Sequence, residues 1–200
     1  MYQCLETIQL SDGIFKHVEL HQQRIDNAYA EIFPTMEPLQ LSKILSESHV
    51  QLNGVYKARL LYGTTNNSYT LQFEPYIRRN IQSLKLISAN IEHRKYKTAD
   101  RSAYNNAFAQ RGSCDDVLIE VNGLLTDTSY CNIALFDGKN WHTPSKPLLH
   151  GVQRKALLLS HSIIERAIEA KDLKAYKSIR LFNAMIEFGA IEISVENIET

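Results

Sequence analysis

The dipeptide Asn122-Gly123 sits between two apolar runs, Val117-Leu118-Ile119-Glu120-Val121 and Leu124-Leu125. A two-residue turn between antiparallel strands needs left-handed backbone at both central positions, and Asn-Gly adopts it with little strain. The second half of the chain is therefore expected to be built on a β-hairpin. Asn132 to Phe136, Asp137-Gly138 and Asn140 to His142 read as another hairpin. Ala99 to Arg111 reads as a helix, with Ala103, Ala107 and Phe108 apolar and Gly112 just past its end. Val152 to Lys171 reads as one long helix with Leu157, Leu158, Ile164, Ala167 and Ile168 on its apolar face. Ser178 to Phe182 and Ala190 to Val195 read as closing strands.

The first half has a different texture. Cys4 to Leu10 and Ile14 to Glu19 read as paired strands around Asp12-Gly13. Leu20 to Phe33 has helical spacing and stops at Pro34. A second helix is expected from Pro38 to near Asn53-Gly54. Val55 to Tyr62 and Tyr69 to Glu74 read as strands joined by a turn over Gly63 to Ser68, and Leu84 to Ile91 as another strand. Strands, then helices, then strands make an α+β chain. The expected division is a small N-terminal domain over 1–92 and a larger C-terminal domain over 93–200.

The charge balance narrows the partners. Lys+Arg and Asp+Glu both number 22, and the basic run Arg94-Lys95-Tyr96-Lys97 is short, so nucleic acid and anionic membrane are not expected partners. There is no apolar run long enough to span a bilayer and no signal-peptide pattern at the N-terminus, so a cytoplasmic location is expected. Cys4, Cys114 and Cys131 are odd in number and lack CxxC spacing, which reads as reduced thiols with no zinc site.

The chemistry gathers between Lys97 and Arg154. Lys97-Thr98-Ala99-Asp100-Arg101 opens the stretch, Asp127 follows the hairpin, and Gly151-Val152-Gln153-Arg154 opens a helix. A lysine can hold pyridoxal phosphate (PLP) as a Schiff base, an acid can pair with its pyridine nitrogen, and a helix start can meet its phosphate. On composition alone His93 to Lys97 is a solvated basic loop. In order and spacing, however, these motifs resemble the class IV aminotransferase family, the fold-type IV PLP enzymes. The family includes branched-chain and D-amino-acid aminotransferases and 4-amino-4-deoxychorismate lyase. The resemblance covers most of the chain.

The resemblance implies a two-domain fold-type IV enzyme: a small α/β sandwich domain plus a larger β-barrel-like domain with flanking helices. It implies PLP as cofactor, a homodimer and a small-molecule substrate. Lys97, with Arg101 four positions on, resembles the lyase branch's Schiff-base lysine; Lys95 is a competing candidate. Asp127 stands where the family usually has glutamate. Gly151, Val152 and Gln153 match the phosphate-binding turn, with Gln153 where threonine is common. His21-Gln22-Gln23-Arg24 resembles the motif whose arginine grips the phosphate, with His21 in a structural role. Leu5-Glu6-Thr7-Ile8 resembles a Phe-Glu-Thr segment close to a trimmed N-terminus, and Thr7 is a lyase-like residue. Phe182-Asn183-Ala184-Met185 resembles the segment that approaches substrate, so Asn183 and Ala184 are substrate-binding candidates. Arg59, Tyr104 and His150 could reach an acidic group. The implied reaction is conversion of 4-amino-4-deoxychorismate to 4-aminobenzoate and pyruvate, a step of folate biosynthesis. The alternatives are an aminotransferase of branched-chain or D-amino acids and a catalytically degenerate PLP-binding member.

Overall fold

The computed structural model describes residues 3–50, 53–63, 68–94 and 96–200. The chain forms two compact units. One is Met1–Ile77 with Tyr96–Asp100, and the other is Arg78–Lys95 with Arg101–Thr200. The fold class is α+β, with one sheet in each unit.

The first unit contains β1 (Cys4–Ser11), β2 (Ile14–Phe15), α1 (Val18–Ile32), α2 (Leu41–Glu47), β3 (Val55–Tyr62) and β4 (Tyr69–Pro75). Its sheet has the order β2-β1-β3-β4 and is antiparallel. Side chains alternate along β1, so Cys4 and Ile8 share one face and Leu5 and Thr7 take the other. The first face packs on α1, whose buried residues His21, Ile25, Ala28 and Tyr29 recur at helical spacing. Tyr29 stacks on Tyr62 with 5.7 Å between ring centroids. Burial of an apolar side chain such as Ile25 contributes about 1.5–3 kcal/mol.

The segment around Lys97 joins this sheet although it is distant in sequence. Leu5 N–H donates to the Lys97 carbonyl at 2.8 Å, and Ala99 N–H to the Gln3 carbonyl at 3.0 Å. Thr98 thereby pairs with Cys4 along the free edge of β1.

The second unit contains β5 (Leu84–Ser88), α3 (Ser102–Phe108), β6 (Asp116–Val121), β7 (Leu124–Thr128), β8 (Asn132–Phe136), β9 (Trp141–Pro144), α4 (Val152–Leu159), β10 (Ile164–Arg166), β11 (Ser178–Phe182), β12 (Glu192–Ser194) and β13 (Ile198–Glu199). The main path of its sheet is β10-β9-β8-β7-β6-β5-β13, with β11 against β8 and β12 against β11. Asn122 and Gly123 have φ of 52° and 79°, the paired left-handed turn that the dipeptide predicts. The ladder of β6 and β7 then slips: Glu120 faces Leu125, but Leu118 faces Thr128. One residue of β6 thus opposes two of β7, a bulge. It breaks the alternation of β7, so that Thr126, Asp127 and Thr128 are all buried.

Several predicted elements end differently. The helix expected over Val152 to Lys171 stops at Leu159. Ser160, His161 and Ser162 leave the helix, with His161 at φ 55°, and Ile164–Arg166 becomes a parallel partner of β9. Ile164 is exposed, so its helical spacing is coincidental. The strand expected over Ile14 to Glu19 ends at Phe15, because left-handed His17 launches α1 at Val18. The helix expected from Ala99 begins at Ser102, since Ala99 is bound to Gln3, and it closes in a 3₁₀ turn to Arg111. The strand expected over Leu84 to Ile91 ends at Ser88, where Ala89 N–H turns to the Glu120 carbonyl. The second helix covers only Leu41–Glu47, and the expected strand at Ala190 to Val195 covers only Glu192–Ser194. Positions 64–67 of the predicted turn lie outside the described residues.

Candidate active site

The first unit presents Lys97 and Thr7. The Lys97 amine donates a hydrogen bond to Thr7 Oγ1 at 2.8 Å, and both side chains are half-buried. Arg59 is the cross-strand partner of Thr7. Lys95, the competing lysine, lies outside the described residues.

On the helix-facing side of the same sheet, Glu6 is 1% exposed. Arg24 meets it with a fork: Nε donates to Oε1 at 2.8 Å and Nη2 to Oε2 at 2.5 Å. His21 Nδ1 lies 2.5 Å from the same Oε2. Burial alone would raise the Glu6 pKa, but the Arg24 charge and the His21 contact overcome it and hold the carboxyl at about 2. Burial pushes the His21 pKa down, so the ring is neutral. The geometry assigns its proton to Nδ1, facing the carboxylate; Nε2 is buried with no partner among the described residues. Arg24 Nη1 has no hydrogen-bond partner among the described residues. Glu6 was not singled out from the sequence. The available signal was an acid placed among Cys4, Ile8 and Leu10 on a buried strand face.

The second unit presents Asp127. Its carboxylate is 3% exposed. Oδ1 accepts from Asn132 Nδ2 at 2.8 Å and Oδ2 from Leu149 N–H at 2.9 Å. Burial pushes its pKa up to about 6, against those hydrogen bonds. No cation lies within ion-pair distance of it among the described residues. Asn132 also donates to the Leu149 carbonyl at 2.8 Å.

The Asn132 amide reaches on to the helix start. A Cβ built on Gly151 would lie 2.0 Å from Asn132 Oδ1. Gly151 has φ −70°, which any residue adopts, so glycine is needed here for space and not for conformation. Gly151 caps α4, and the amides of its first turn have no acceptor within the helix. Val152 is buried and Gln153 half-buried. Asn132, which sequence reasoning left without a role, therefore ties Asp127 to the Gly151 turn. Its signal was its place opposite Asp127 on the returning strand.

Asn183 and Ala184, at the end of β11, are half-buried. Asn183 Nδ2 donates to the Tyr130 carbonyl at 3.2 Å and to Cys131 Sγ at 3.3 Å, and its Oδ1 accepts from Met185 N–H. It thus braces the turn that follows Asp127. Arg101 donates from Nη2 to the Ser129 carbonyl in the same turn. His150 is exposed.

The model of the class IV amino-transferase family matches residues 3–193. A Haemophilus influenzae protein of uncharacterized function is 35% identical over 193 residues, spanning 92% of this chain and 98% of that one. The crystal structure of a Haemophilus somnus protein, proposed to be a 4-amino-4-deoxychorismate lyase, is 33% identical with a TM-score of 0.85, spanning 92% of this chain and 97% of that one. A Mesorhizobium loti protein, proposed to be an amino-acid aminotransferase, is similar in fold: TM-score 0.83 at 22% identity, over 97% of this chain and 99% of that one.

The residues fit PLP. A buried carboxylate with no cation at ion-pair distance among the described residues is suited to a protonated ring nitrogen, and a helix start kept open by glycine is suited to a phosphate. A half-buried amine on a hydroxyl is suited to an aldehyde. No helix of the described residues is long and apolar enough to cross a membrane, and no cluster of metal-ligating groups occurs among them.

Proposed function

The chain belongs to the class IV aminotransferases and is an enzyme of that PLP-dependent kind, and we propose that it is a lyase that converts 4-amino-4-deoxychorismate to 4-aminobenzoate and pyruvate. The observation that carries this reading is the seat of Lys97 on Thr7, an amine held by a hydroxyl at 2.8 Å. The similarity to the Haemophilus somnus protein supports it. Bound PLP supplies an electron sink for the carbon that bears the substrate amine.

The chain's own groups then have defined tasks. Lys97 would hold the cofactor, and its amine would take the proton from the amine-bearing carbon. Thr7 orients the lysine amine by accepting its hydrogen bond. Asp127 would pair with the pyridine nitrogen and keep it protonated. The amides of Val152 and Gln153 would meet the phosphate, with Gly151 leaving room, and Arg24 would add its Nη1 donor. Asn183 and Ala184 line the substrate. In the reaction one C–H bond and the C–O bond to the enolpyruvyl group break. The ring aromatises, and the leaving enol gains a proton to become pyruvate. No oxidant, reductant or 2-oxo acid is consumed.

The test is formation of 4-aminobenzoate from 4-amino-4-deoxychorismate, with and without added PLP and with no 2-oxo acid present. PLP-dependent product is expected. No product from protein that shows the cofactor's absorbance band would overturn the lyase reading in favour of a branched-chain or D-amino-acid aminotransferase. Neither product nor band would favour a degenerate member. The homodimer is part of the same proposal, and a scattering mass of one chain would overturn it.

A further inference from the structure

A cleft of about 430 Å³ opens in the second unit, lined by Leu86, Ser88, Glu120, Ala170, Leu173 and Lys174 among others. Its floor is one face of the β5–β6 pair, where Leu86 lies beside Leu118 and Ser88 beside Glu120. Successive side chains of a strand point to opposite faces. Ile87, Val117, Ile119 and Val121 therefore take the other face, where they pack with Tyr104, Ala107 and Leu148. Leu148 adjoins Leu149, whose amide binds Asp127 at 2.9 Å. The cleft thus lies on the face of the sheet turned away from Asp127.

The wall of the cleft is the 3₁₀ turn Ala170–Ala175. It is tied to the β6–β7 hairpin by two backbone bonds of 2.8 Å, from Leu125 N–H to the Ile168 carbonyl and from Ala170 N–H to the Gly123 carbonyl. Leu173, only 3% exposed, anchors the turn. Side chains three apart eclipse in a 3₁₀ turn, so Lys171 and Lys174 stand on one side of it. Lys171 is engaged by Glu169, Nζ to Oε2 at 2.6 Å. Lys174 and the half-buried Glu120 form no ion pair and no side-chain hydrogen bond among the described residues. An acid and an amine thus line one cleft and do not meet. A carboxylate partly out of water is stabilised by a cation that reaches it with hydrogen bonds.

We propose that this cleft binds a small zwitterion whose cation meets Glu120, whose anion meets Lys174 and whose short apolar stem lies against Leu86 and Leu173. One unpaired group of each sign matches one of each on the ligand, whereas a singly charged molecule leaves one of the two unanswered. A planar guanidinium suits the carboxylate best, because it can make two parallel bonds to it. Ser88, beside Glu120, adds a hydroxyl. The volume is that of a small-molecule pocket. The proposal uses no residue of the candidate active site and stands apart from the cofactor reading. A cleft that is only a gap in the packing would be indifferent to ligand charge.

The experiment titrates 4-guanidinobutanoate into the isotopically labelled full chain with PLP present and follows backbone amide resonances. This probe has no free amine to condense with PLP. Butanoate and butylguanidine, which carry one charge each, are titrated alongside. The zwitterion is expected to bind about ten-fold or more tightly than either, as for one added charge-assisted pair. The shifts are expected at Ser88, Glu120 and Leu173. Glu120→Gln is expected to reduce its affinity to that of butanoate, and the exposed Lys174→Met to reduce it to that of butylguanidine; either variant reads the site if the other does not fold. Lys171→Met is expected to keep the preference, since that amine is already engaged. Equal binding of the three compounds, or no binding, overturns the proposal. So does a preference that survives in a folded Glu120→Gln or Lys174→Met, or shifts confined to Asp127 and Leu149.

Discussion

Replacing Gly151 by alanine is expected to destabilise the second unit through a single overlap. The new Cβ would lie 2.0 Å from Asn132 Oδ1, far inside contact distance. The backbone offers no objection, since φ of −70° is ordinary for alanine. The Asn132 amide must therefore move, and it is held by Asp127 Oδ1 and the Leu149 carbonyl, each at 2.8 Å. A hydrogen bond to a charged group contributes about 1.5–3 kcal/mol and one to a neutral group about 0.5–1.5 kcal/mol, so the loss is about 2–4.5 kcal/mol. Urea titration monitored by fluorescence and circular dichroism measures it as a lowered midpoint at unchanged slope. The same change in an Asn132→Ala background should cost about 1 kcal/mol or less, because nothing is left to collide with. The reasoning is refuted if Gly151→Ala costs under about 0.5 kcal/mol alone, or as much with Asn132 removed as with it present.

Three further expectations concern charge and the cofactor. Glu6 is held at about 2 against an ordinary value of 4.5, so it stabilises the fold by about 3 kcal/mol at pH above 4.5, and this is lost as pH falls from there towards 2. Glu6→Gln should remove that part of the acid sensitivity and lower stability by about 3–5 kcal/mol through unpaired Arg24; an identical acid slope in denaturant midpoints for both proteins would contradict it. Asp127 is raised to about 6, so the unloaded fold is favoured by its protonation and loses that contribution as pH rises through about 6, whereas PLP pairing needs the carboxylate. PLP affinity should thus weaken as pH drops below about 6, and Asp127→Asn should flatten that limb; an unchanged limb in spectral titrations would sink the assignment. Lys97→Ala should abolish the cofactor's absorbance band, and survival of the band together with its loss in Lys95→Ala would move the role to Lys95.

Local features were the legible ones. Asn122-Gly123 needed only its own two residues to set a hairpin, and Leu20 to Phe33 carried enough apolar spacing to mark α1 within a residue or two. The stretch Val152 to Lys171 misled because Leu157, Leu158, Ile164 and Ile168 keep a helical period across what is a helix, a loop and a strand. Only contacts made elsewhere in the chain, the β9 pairing of Ile164–Arg166, decide between them. Asp127 and Gly151 were visible as motif positions, but the carboxamide that joins them was not, because it depends on a slipped ladder and a side-chain direction. Glu6 with Arg24 and His21 was half legible. The helical spacing of the two bases can be read, and their shared acid needs the register of α1 on β1.

The attachment of Lys97 to β1 makes the amine's position a property of the chain's opening strand. Thr7 and Lys97 are 90 positions apart, and such non-local closures form slowly because the entropy of closing the loop is lost before the contact is gained. The Lys97 amine would be among the last groups to reach its place as the first unit folds. Cofactor loading would then double as a clock for that unit: colour develops only when Gln3 to Leu5 have taken hold of 97–99, and an extension that competes for this strand edge slows its appearance.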